Sequence, residues 1–157
     1  MGYQQIPVYQ NYGRLIVANL VIMSSDKLIG VEGYLCKKVK GLKVLIVDDE
    51  IDICFLLSGM LRQRDLRPSY VNTISDAQIA LREEAPSLLF LDNHLPDGFG
   101  LDFIRYVKSQ YPETRIIMIT AHDSPEDRRK AANEGADYFL SKPFTRNQIN
   151  SLIDNLS

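Results

Sequence analysis

The stretch that decides the fold is Leu88-Leu89-Phe90-Leu91-Asp92-Asn93-His94-Leu95-Pro96-Asp97-Gly98-Phe99-Gly100. Its four apolar residues end abruptly at the carboxylate of Asp92, and a short loop containing Pro96 and Gly98 follows. The apolar run is too short for an ordinary helix, so it predicts a buried β-strand. Such a strand would place Asp92 at the rim of a sheet, where a carboxylate can meet solvent and ligands.

Strands and helices are predicted to alternate on both sides of this stretch. The predicted strands are Val44–Val47, Pro68–Val71, Leu88–Leu91, Arg115–Thr120 and Tyr138–Leu140. Segments with helical periodicity separate and follow them. This alternation predicts an α/β fold in which a five-stranded parallel sheet is doubly wound, with helices on both faces.

Several residues predict where the helices begin, end and face the core. The first helix would bury Ile53, Leu56, Leu57, Met60 and Leu61, which recur at helical spacing. Capping signals for the later helices are Ser75 with Gln78, Ser124-Pro125, Gly135, and Thr145 with Gln148.

Composition bounds the class of protein. The 157 residues are 45% hydrophobic, which is ample for one globular core, and the net charge of −2 gives no reason to expect nucleic acid as a direct partner. Cys36 and Cys54 match no metal or redox spacing. The longest early apolar stretch, Leu15–Met23, is far short of the roughly 20 residues of a membrane helix. A cytoplasmic protein without a membrane partner is therefore expected.

Charge changes sign along the chain. Residues 1–40 carry five Lys/Arg and two Asp/Glu, whereas residues 41–157 carry 13 Lys/Arg and 18 Asp/Glu. This predicts an N-terminal extension over 1–40 and a main domain over 41–157. The extension has three open interpretations: an added hairpin of Leu15–Ile22 and Leu28–Leu35, a poorly ordered segment, or a start of translation at Met23 or later.

Polar side chains stand at the carboxyl ends of the predicted strands, where doubly wound folds bind ligands. They are Asp48 and Asp49 after strand one, Asp92 after strand three, Thr120 ending strand four and Lys142 after strand five. If the strand order is 2-1-3-4-5, strands one, three and four are adjacent. These side chains would then share one pocket.

Three clustered carboxylates repel one another unless a cation intervenes, and oxygen-only ligands favour Mg²⁺. Aspartate can act as a nucleophile that forms an aspartyl phosphate. The metal and Lys142 would neutralise charge on the phosphoryl oxygens, and Thr120 could donate a hydrogen bond to one of them. These residues lead to the hypothesis that Asp92 is phosphorylated.

Residues 43–157 resemble the receiver domain of two-component response regulators, and in particular stand-alone receivers of the chemotaxis-regulator type. The resemblance rests on Asp48-Asp49, on Asp92 followed by Pro96 and Gly100, on Thr120-Ala121, and on Lys142-Pro143-Phe144. It implies a flavodoxin-like sheet of order 2-1-3-4-5. It also implies a switch that is not an enzyme beyond weak autophosphatase activity.

The resemblance assigns roles to the strand-end residues. Asp92 would accept a phosphoryl group from a histidine kinase or phosphotransfer domain, with Thr120 and Lys142 assisting. Mg²⁺ would be bound by Asp49, Asp92 and the backbone carbonyl of His94, and Asp48 would act through water.

The resemblance also implies a conformational readout. Thr120 would move toward the phosphoryl group, and the aromatic residue Phe139, where Tyr is commoner, would turn inward. The Lys142–Pro143 peptide bond is expected to be cis.

Output is expected through a partner, because the chain ends at Ser157 soon after its fifth predicted helix. By analogy, the surface would be formed by the fourth helix, fifth strand and fifth helix. Its exposed candidates are Arg128, Arg129, Lys130 and Arg146. The partner could be an unidentified output protein or a second copy of the chain.

Other interpretations stay open. The chain could be a Mg²⁺-dependent phosphatase or phosphotransferase with Asp92 as nucleophile, although His94 stands where such an enzyme needs a second acid. It could also be a binding module that works without phosphorylation. Individually, Asp48 and Asp49 could be helix-capping acids, Lys142 a solvated loop residue, Thr120 a strand-end hydroxyl and Phe139 a core aromatic.

His94 and His122 stand two residues after Asp92 and Thr120, respectively. One hypothesis is that they tune hydrolysis of the phosphoryl group and make its lifetime depend on pH between about 5 and 8. The alternative is a pair of ordinary loop histidines.

Overall fold

The computed structural model describes residues 9–11, 14–16, 41–121 and 124–156. The chain divides into two units between Lys38 and Val39. In the first, the described backbone forms two antiparallel three-residue strands, Tyr9–Asn11 and Arg14–Ile16. The hairpin predicted over Leu15–Ile22 and Leu28–Leu35 lies mostly outside the described residues, so the nature of the extension stays a prediction.

The second unit is built on one parallel sheet of five strands. Val47, at the end of the first strand, lies beside Val71 on one neighbour and Leu91 on the other. The spatial order is β2-β1-β3-β4-β5, which confirms the predicted order. The strands are β1 (Lys43–Val47), β2 (Arg67–Val71), β3 (Leu88–Asp92), β4 (Arg115–Thr120) and β5 (Tyr138–Ser141).

Helices cover both faces of this sheet. Alternate residues of β1 enter two separate cores, Val44 and Ile46 on one face and Leu45 and Val47 on the other. The first core is closed by α1 and α5, and the second by α2, α3 and α4. The helices are α1 (Ile51–Arg62), α2 (Ile74–Glu83), α3 (Gly100–Gln110), α4 (Pro125–Glu134) and α5 (Arg146–Asn155). Among the helices of the described ranges, none has the length and apolar character of a membrane span.

The predicted helix ends are confirmed at α4 and α5 and wrong at α2. Thr145 and Gln148 form the capping box of α5, and Gly135 ends α4 with a positive φ of 108°. At α2, however, the N-cap is Thr73, whose hydroxyl accepts from the amide of Asp76 at 3.0 Å. Ser75 lies inside the first turn, and its hydroxyl donates to Asp97 at 2.8 Å instead.

The buried face of α1 differs from the predicted one at Leu56, which is 50% exposed. The observed face centres on Cys54, Leu57 and Leu61. Consecutive helical residues point about 100° apart, so burying Leu57 turns Leu56 away from the core. The apolar spacing did not distinguish the predicted orientation of α1 from the observed one, because both place apolar residues along one face of the helix.

Candidate functional site

The carboxyl end of β1 delivers Asp48 into the interior, where its side chain is 0% exposed. Its Oδ1 accepts a hydrogen bond from the backbone amide of Glu50 at 3.0 Å. Its backbone carbonyl accepts from the side-chain amide of Asn72 at 2.7 Å and from the thiol of Cys54 at 3.3 Å. The turn between β1 and α1 is therefore held from α1 and from the segment after β2.

The carboxyl end of β3 delivers Asp92, which is 4% exposed. Its Oδ2 accepts a hydrogen bond from the amide of His94 at 2.6 Å. The start of α3 is pressed against its backbone, because a Cβ on Gly100 would lie 2.1 Å from the carbonyl oxygen of Asp92. This close approach gives a physical reason for a glycine eight residues after the aspartate.

The loop after Asp92 contains a small antiparallel hairpin. Its strands are His94–Leu95 and Gly98–Phe99, and helix α3 begins directly after them at Gly100. Asn93 caps the helix from a distance: its carbonyl accepts from the amide of Gly100 at 2.9 Å and its side-chain oxygen from that of Leu101 at 3.2 Å.

The ends of β4 and β5 bring Thr120 and Lys142 to the same edge. Thr120 is 2% exposed and lies beside Ser141 in the sheet. Its carbonyl accepts from the backbone amide of Lys142 at 2.8 Å. The Lys142–Pro143 peptide bond is cis, as the resemblance implied.

The ammonium of Lys142 joins these elements. It lies 2.8 Å from Asp48 Oδ2, 2.8 Å from Glu50 Oε1 and 2.9 Å from Asp92 Oδ1. The predicted proximity of Asp48, Asp92 and Lys142 is thus present. Glu50 was missed, although it follows directly after Asp48-Asp49 and could have been suspected as a third acid of that run.

Burial and ion pairing set the charge states in this pocket. Burial raises the pKa of Asp48, and its contacts with Lys142 and the amide of Glu50 only partly offset this. For Lys142, burial disfavours the charged form, but the hydrogen bonds that its ammonium donates to Asp48, Glu50 and Asp92 outweigh this effect and raise the pKa of Lys142. Burial also raises the pKa of the nearby Cys54 thiol to about 11, so that group is neutral at pH 7.

The oxygen atoms of this pocket suit a magnesium ion. Within residues 41–121 and 124–156, no group of three His, Cys, Asp or Glu side chains is placed to hold a metal by itself. Mg²⁺ needs only one or two carboxylates and otherwise keeps waters or carbonyls as ligands. The predicted ligands are Asp49, Asp92 and the carbonyl of His94; Asp92 lies buried in the pocket, and Asp49 is the exposed residue that follows Asp48. Asp48 Oδ2 is buried and contacts the Lys142 ammonium at 2.8 Å, so the Asp48 carboxylate adds negative charge to the pocket.

Two aromatic contacts involve residues that the sequence analysis singled out. The guanidinium of Arg128 on α4 lies 4.7 Å from the ring centroid of Phe139, which is half-buried. The exposed ring of His94 meets Phe99 edge-on at 5.8 Å between centroids. His122 lies outside the described residues, so the paired-histidine hypothesis stays a prediction.

The fold is a doubly wound α/β sheet, and a lysine is buried between two aspartates at its carboxyl edge. Proteins of this class bind their ligands at that edge, so the ligand site here is acidic. Comparison with known families places it more narrowly. The family model described as "Response regulator receiver domain" matches residues 44–154. The chain therefore belongs to the receiver domain family of two-component response regulators, which act as phosphorylation-dependent switches.

Curated relatives are similar over the same region. The response regulator protein PilR of Pseudomonas aeruginosa is 37% identical over 111 residues, which are 71% of this chain and 25% of the relative. The phosphate regulon transcriptional regulatory protein PhoB of Escherichia coli is 32% identical over 68% of this chain and 48% of its own length. The chain thus spans about a quarter to a half of the length of these relatives.

Solved structures share the fold. The beryllofluoride-activated NtrC4 receiver domain dimer matches with a TM-score of 0.69 and 34% identity, over 72% of this chain and 93% of that one. The BeF3-activated DrrB receiver domain matches with a TM-score of 0.68 and 30% identity, over 73% and 96%.

Proposed function

We propose that Asp92 accepts a phosphoryl group from a histidine kinase or a phosphotransfer protein. The observation that carries this is the Lys142 ammonium, held within 2.9 Å of both Asp48 and Asp92 in an almost fully buried pocket. A carboxylate oxygen of Asp92 attacks phosphorus as the bond from phosphorus to the donor's imidazole nitrogen breaks. The imidazole leaves and takes up its proton from solvent.

The other pocket residues stabilise and orient this transfer. Lys142 neutralises charge on the transferred oxygens, and the Thr120 hydroxyl donates to one of them. Asp49, Asp92 and the carbonyl of His94 would hold Mg²⁺, with Asp48 acting through water. When bound, Mg²⁺ neutralises phosphoryl charge, as metal ions do in phosphoryl transfer generally. A cytoplasmic location, where Mg²⁺ and kinase are both available, is part of the proposal.

The donor would approach over the start of α1. Ile51, Phe55 and Leu56 are 53%, 60% and 50% exposed there. Helix α1 begins directly after Glu50, which contacts Lys142, so this apolar surface adjoins the mouth of the pocket. Its proposed occupant is a helix of the histidine-bearing donor. Phe55→Ala should slow transfer from such a donor at least tenfold and leave labelling by acetyl phosphate unchanged, whereas Ile79→Ala, exposed on α2, should change neither.

The phosphorylated state would be read through α4, β5 and α5. In the proposed switch, Thr120 moves toward the phosphoryl group and Phe139 turns inward. The stacked guanidinium of Arg128 would follow Phe139 and carry the change to α4. Arg129 and Arg146 are exposed on the same surface, whereas Lys130 is paired with Glu126 at 3.0 Å.

Incubation with acetyl phosphate and Mg²⁺ tests the proposal. Intact-mass spectrometry should show the gain of one phosphoryl group by wild type and none by Asp92→Asn. Glu84→Gln, at the opposite end of the sheet, should be labelled like wild type. No gain by wild type, or a gain that survives Asp92→Asn, refutes the assignment of Asp92. Either result would favour a binding module or an enzyme of another kind.

A further inference from the structure

Asp97 forms a long-range contact that has no role in the proposed phosphoryl transfer. It lies with Pro96 in the turn between the strands His94–Leu95 and Gly98–Phe99. Its Oδ1 accepts from the amide of Ile74 at 2.8 Å, and its Oδ2 accepts from the amide of Ser75 at 2.9 Å and from the Ser75 hydroxyl at 2.8 Å. One carboxylate thus receives three hydrogen bonds from the first turn of α2.

These amides have no partners within their own helix. The first four amides of an α-helix lack intrahelical acceptors and carry partial positive charge, so they favour a carboxylate. The N-cap residue Thr73 satisfies one of these amides, that of Asp76. Asp97 satisfies two more from 22 and 23 residues further along the chain. The contact therefore fixes the β3–α3 loop to α2 rather than only capping a helix.

The same loop is fixed at two other points. The amide of His94 donates to Asp92 at 2.6 Å, and Asn93 accepts from the first amides of α3. Between these contacts and Asp97 lies the carbonyl of His94. Of the three proposed magnesium ligands, this carbonyl is the backbone group that lies inside the β3–α3 loop.

We propose that Asp97 is a positioning residue for magnesium: its bonds to Ile74 and Ser75 hold the β3–α3 loop with the His94 carbonyl in place before the ion binds. This inference rests on the proposed function, because it assumes the magnesium site at Asp49, Asp92 and His94. Loss of a group that orients a metal ligand typically weakens metal affinity by about tenfold to a hundredfold. Asp97 does not contact the ion in this arrangement, so its effect is exerted through the loop alone.

The test is the Mg²⁺ dissociation constant of the whole chain, measured by isothermal titration calorimetry without a phosphodonor. Asp97→Ala should weaken binding at least tenfold, and Asp97→Asn, which keeps one acceptor oxygen, should weaken it less. The matched control is Asp76→Asn, since Asp76 is another exposed acid of the first turn of α2 but contacts Thr73 of its own helix. It should bind Mg²⁺ within twofold of wild type.

Amide hydrogen exchange of the metal-free protein provides the second readout. In Asp97→Asn, exchange should accelerate at Ile74 and Ser75 and in the β3–α3 loop. Faster exchange with unchanged Mg²⁺ affinity would overturn the inference, since Asp97 would then be only structural. If Asp97→Ala does not fold, Asp97→Asn decides by the same criterion.

The outcomes also separate this inference from the proposed function. If wild type binds no Mg²⁺, or Asp92→Asn binds it as well as wild type does, the magnesium site itself is wrong. If Asp92→Asn abolishes binding while both Asp97 variants bind like wild type, the role of Asp97 alone is refuted.

Discussion

The two ends of strand β1 carry opposite charges in very different surroundings. At its amino end, Lys43 pairs with Glu84 at 3.2 Å, and the two side chains are 48% and 69% exposed. Just past its carboxyl end, Asp48 is 0% exposed and pairs with Lys142, which is 10% exposed, at 2.8 Å. The two contacts differ little in length, so burial rather than distance distinguishes the surface ion pair from the ion pair of the proposed site.

The charged side chains at the amino end of the sheet differ in burial from those at the carboxyl end. A cavity of about 510 Å³ lies at the amino end, and its charged lining residues Lys43, Arg67, Glu83 and Glu84 are all exposed. At the carboxyl end the strands and loops converge and bury charged side chains. Buried charges interact strongly with one another and with an incoming anion or cation. Site chemistry is therefore concentrated where burial and charge coincide.

The largest expected effect is that of removing the buried cation. Lys142→Met leaves Asp48 and Asp92 without their common partner, and breaking such a pair costs about 3–5 kcal/mol of stability. Phosphoryl transfer from acetyl phosphate should slow by about 10²–10³-fold, as when a charge-stabilising donor is lost. Urea unfolding and the labelling rate by mass spectrometry measure the two effects. If the variant were as stable and as readily labelled as wild type, the contacts of Lys142 with Asp48 and Asp92 would be unimportant for both stability and transfer.

A substitution without charge tests whether the carboxyl end is also more tightly packed. Gly100→Ala places a Cβ 2.1 Å from the carbonyl oxygen of Asp92, so the start of α3 must shift, at about 1–3 kcal/mol. A Cβ at Gly59, on the exposed side of α1, would meet nothing within 4 Å, so Gly59→Ala should stabilise the protein by about 0.5–1 kcal/mol because alanine favours the helix. The denaturant midpoints of the two variants measure both changes in stability. Equal signs for the two changes would refute the packing argument.

The exposed pair at the amino end should contribute little. Lys43→Met should change stability by less than about 1 kcal/mol, since both side chains stay largely solvated. The change should shrink further in 1 M salt, which screens exposed charges. Labelling of Asp92 should be unaffected. A loss as large as that of Lys142→Met would show that burial is not the deciding difference.

The smallest expected effect is a pH dependence at Asp97, which lies at the functional end but is exposed. The amides of Ile74 and Ser75, with the Ser75 hydroxyl, hold the pKa of Asp97 below its ordinary value of 3.8. A lowered pKa contributes stability that is complete above the ordinary value and lost as the pH falls through the folded-state pKa. The stability gap between wild type and Asp97→Asn should therefore narrow between about pH 6 and pH 3. A gap that stays constant in urea titrations at both pH values would contradict this assignment.

The sequence predicted the grouping of the strand-end residues better than it predicted the helix surfaces. Each site residue follows an apolar strand, and parallel strands bring their carboxyl ends to one edge, so Asp48, Asp92, Thr120 and Lys142 could be grouped without coordinates. Spacing alone could not tell that Leu56 faces outward, because a rotation of α1 by one residue suits its apolar pattern nearly as well. Glu50 was missed for a related reason, since the reach of its side chain to Lys142 depends on the turn conformation.

The order of elements and the identity of the strand-end acids were determined by the sequence itself, because burial periodicity is a local property of the chain. The strand order was predicted only through the resemblance to receiver domains. Three features were decided only by the tertiary structure: the replacement of Ser75 by Thr73 as the cap of α2, the contact of Asp97 with that helix, and the ammonium shared by Asp48, Glu50 and Asp92. The second and third join segments distant in the chain, and the second also engages the Ser75 hydroxyl, which therefore does not cap the helix. Their geometry depends on how helices and loops pack together, which no local pattern specifies.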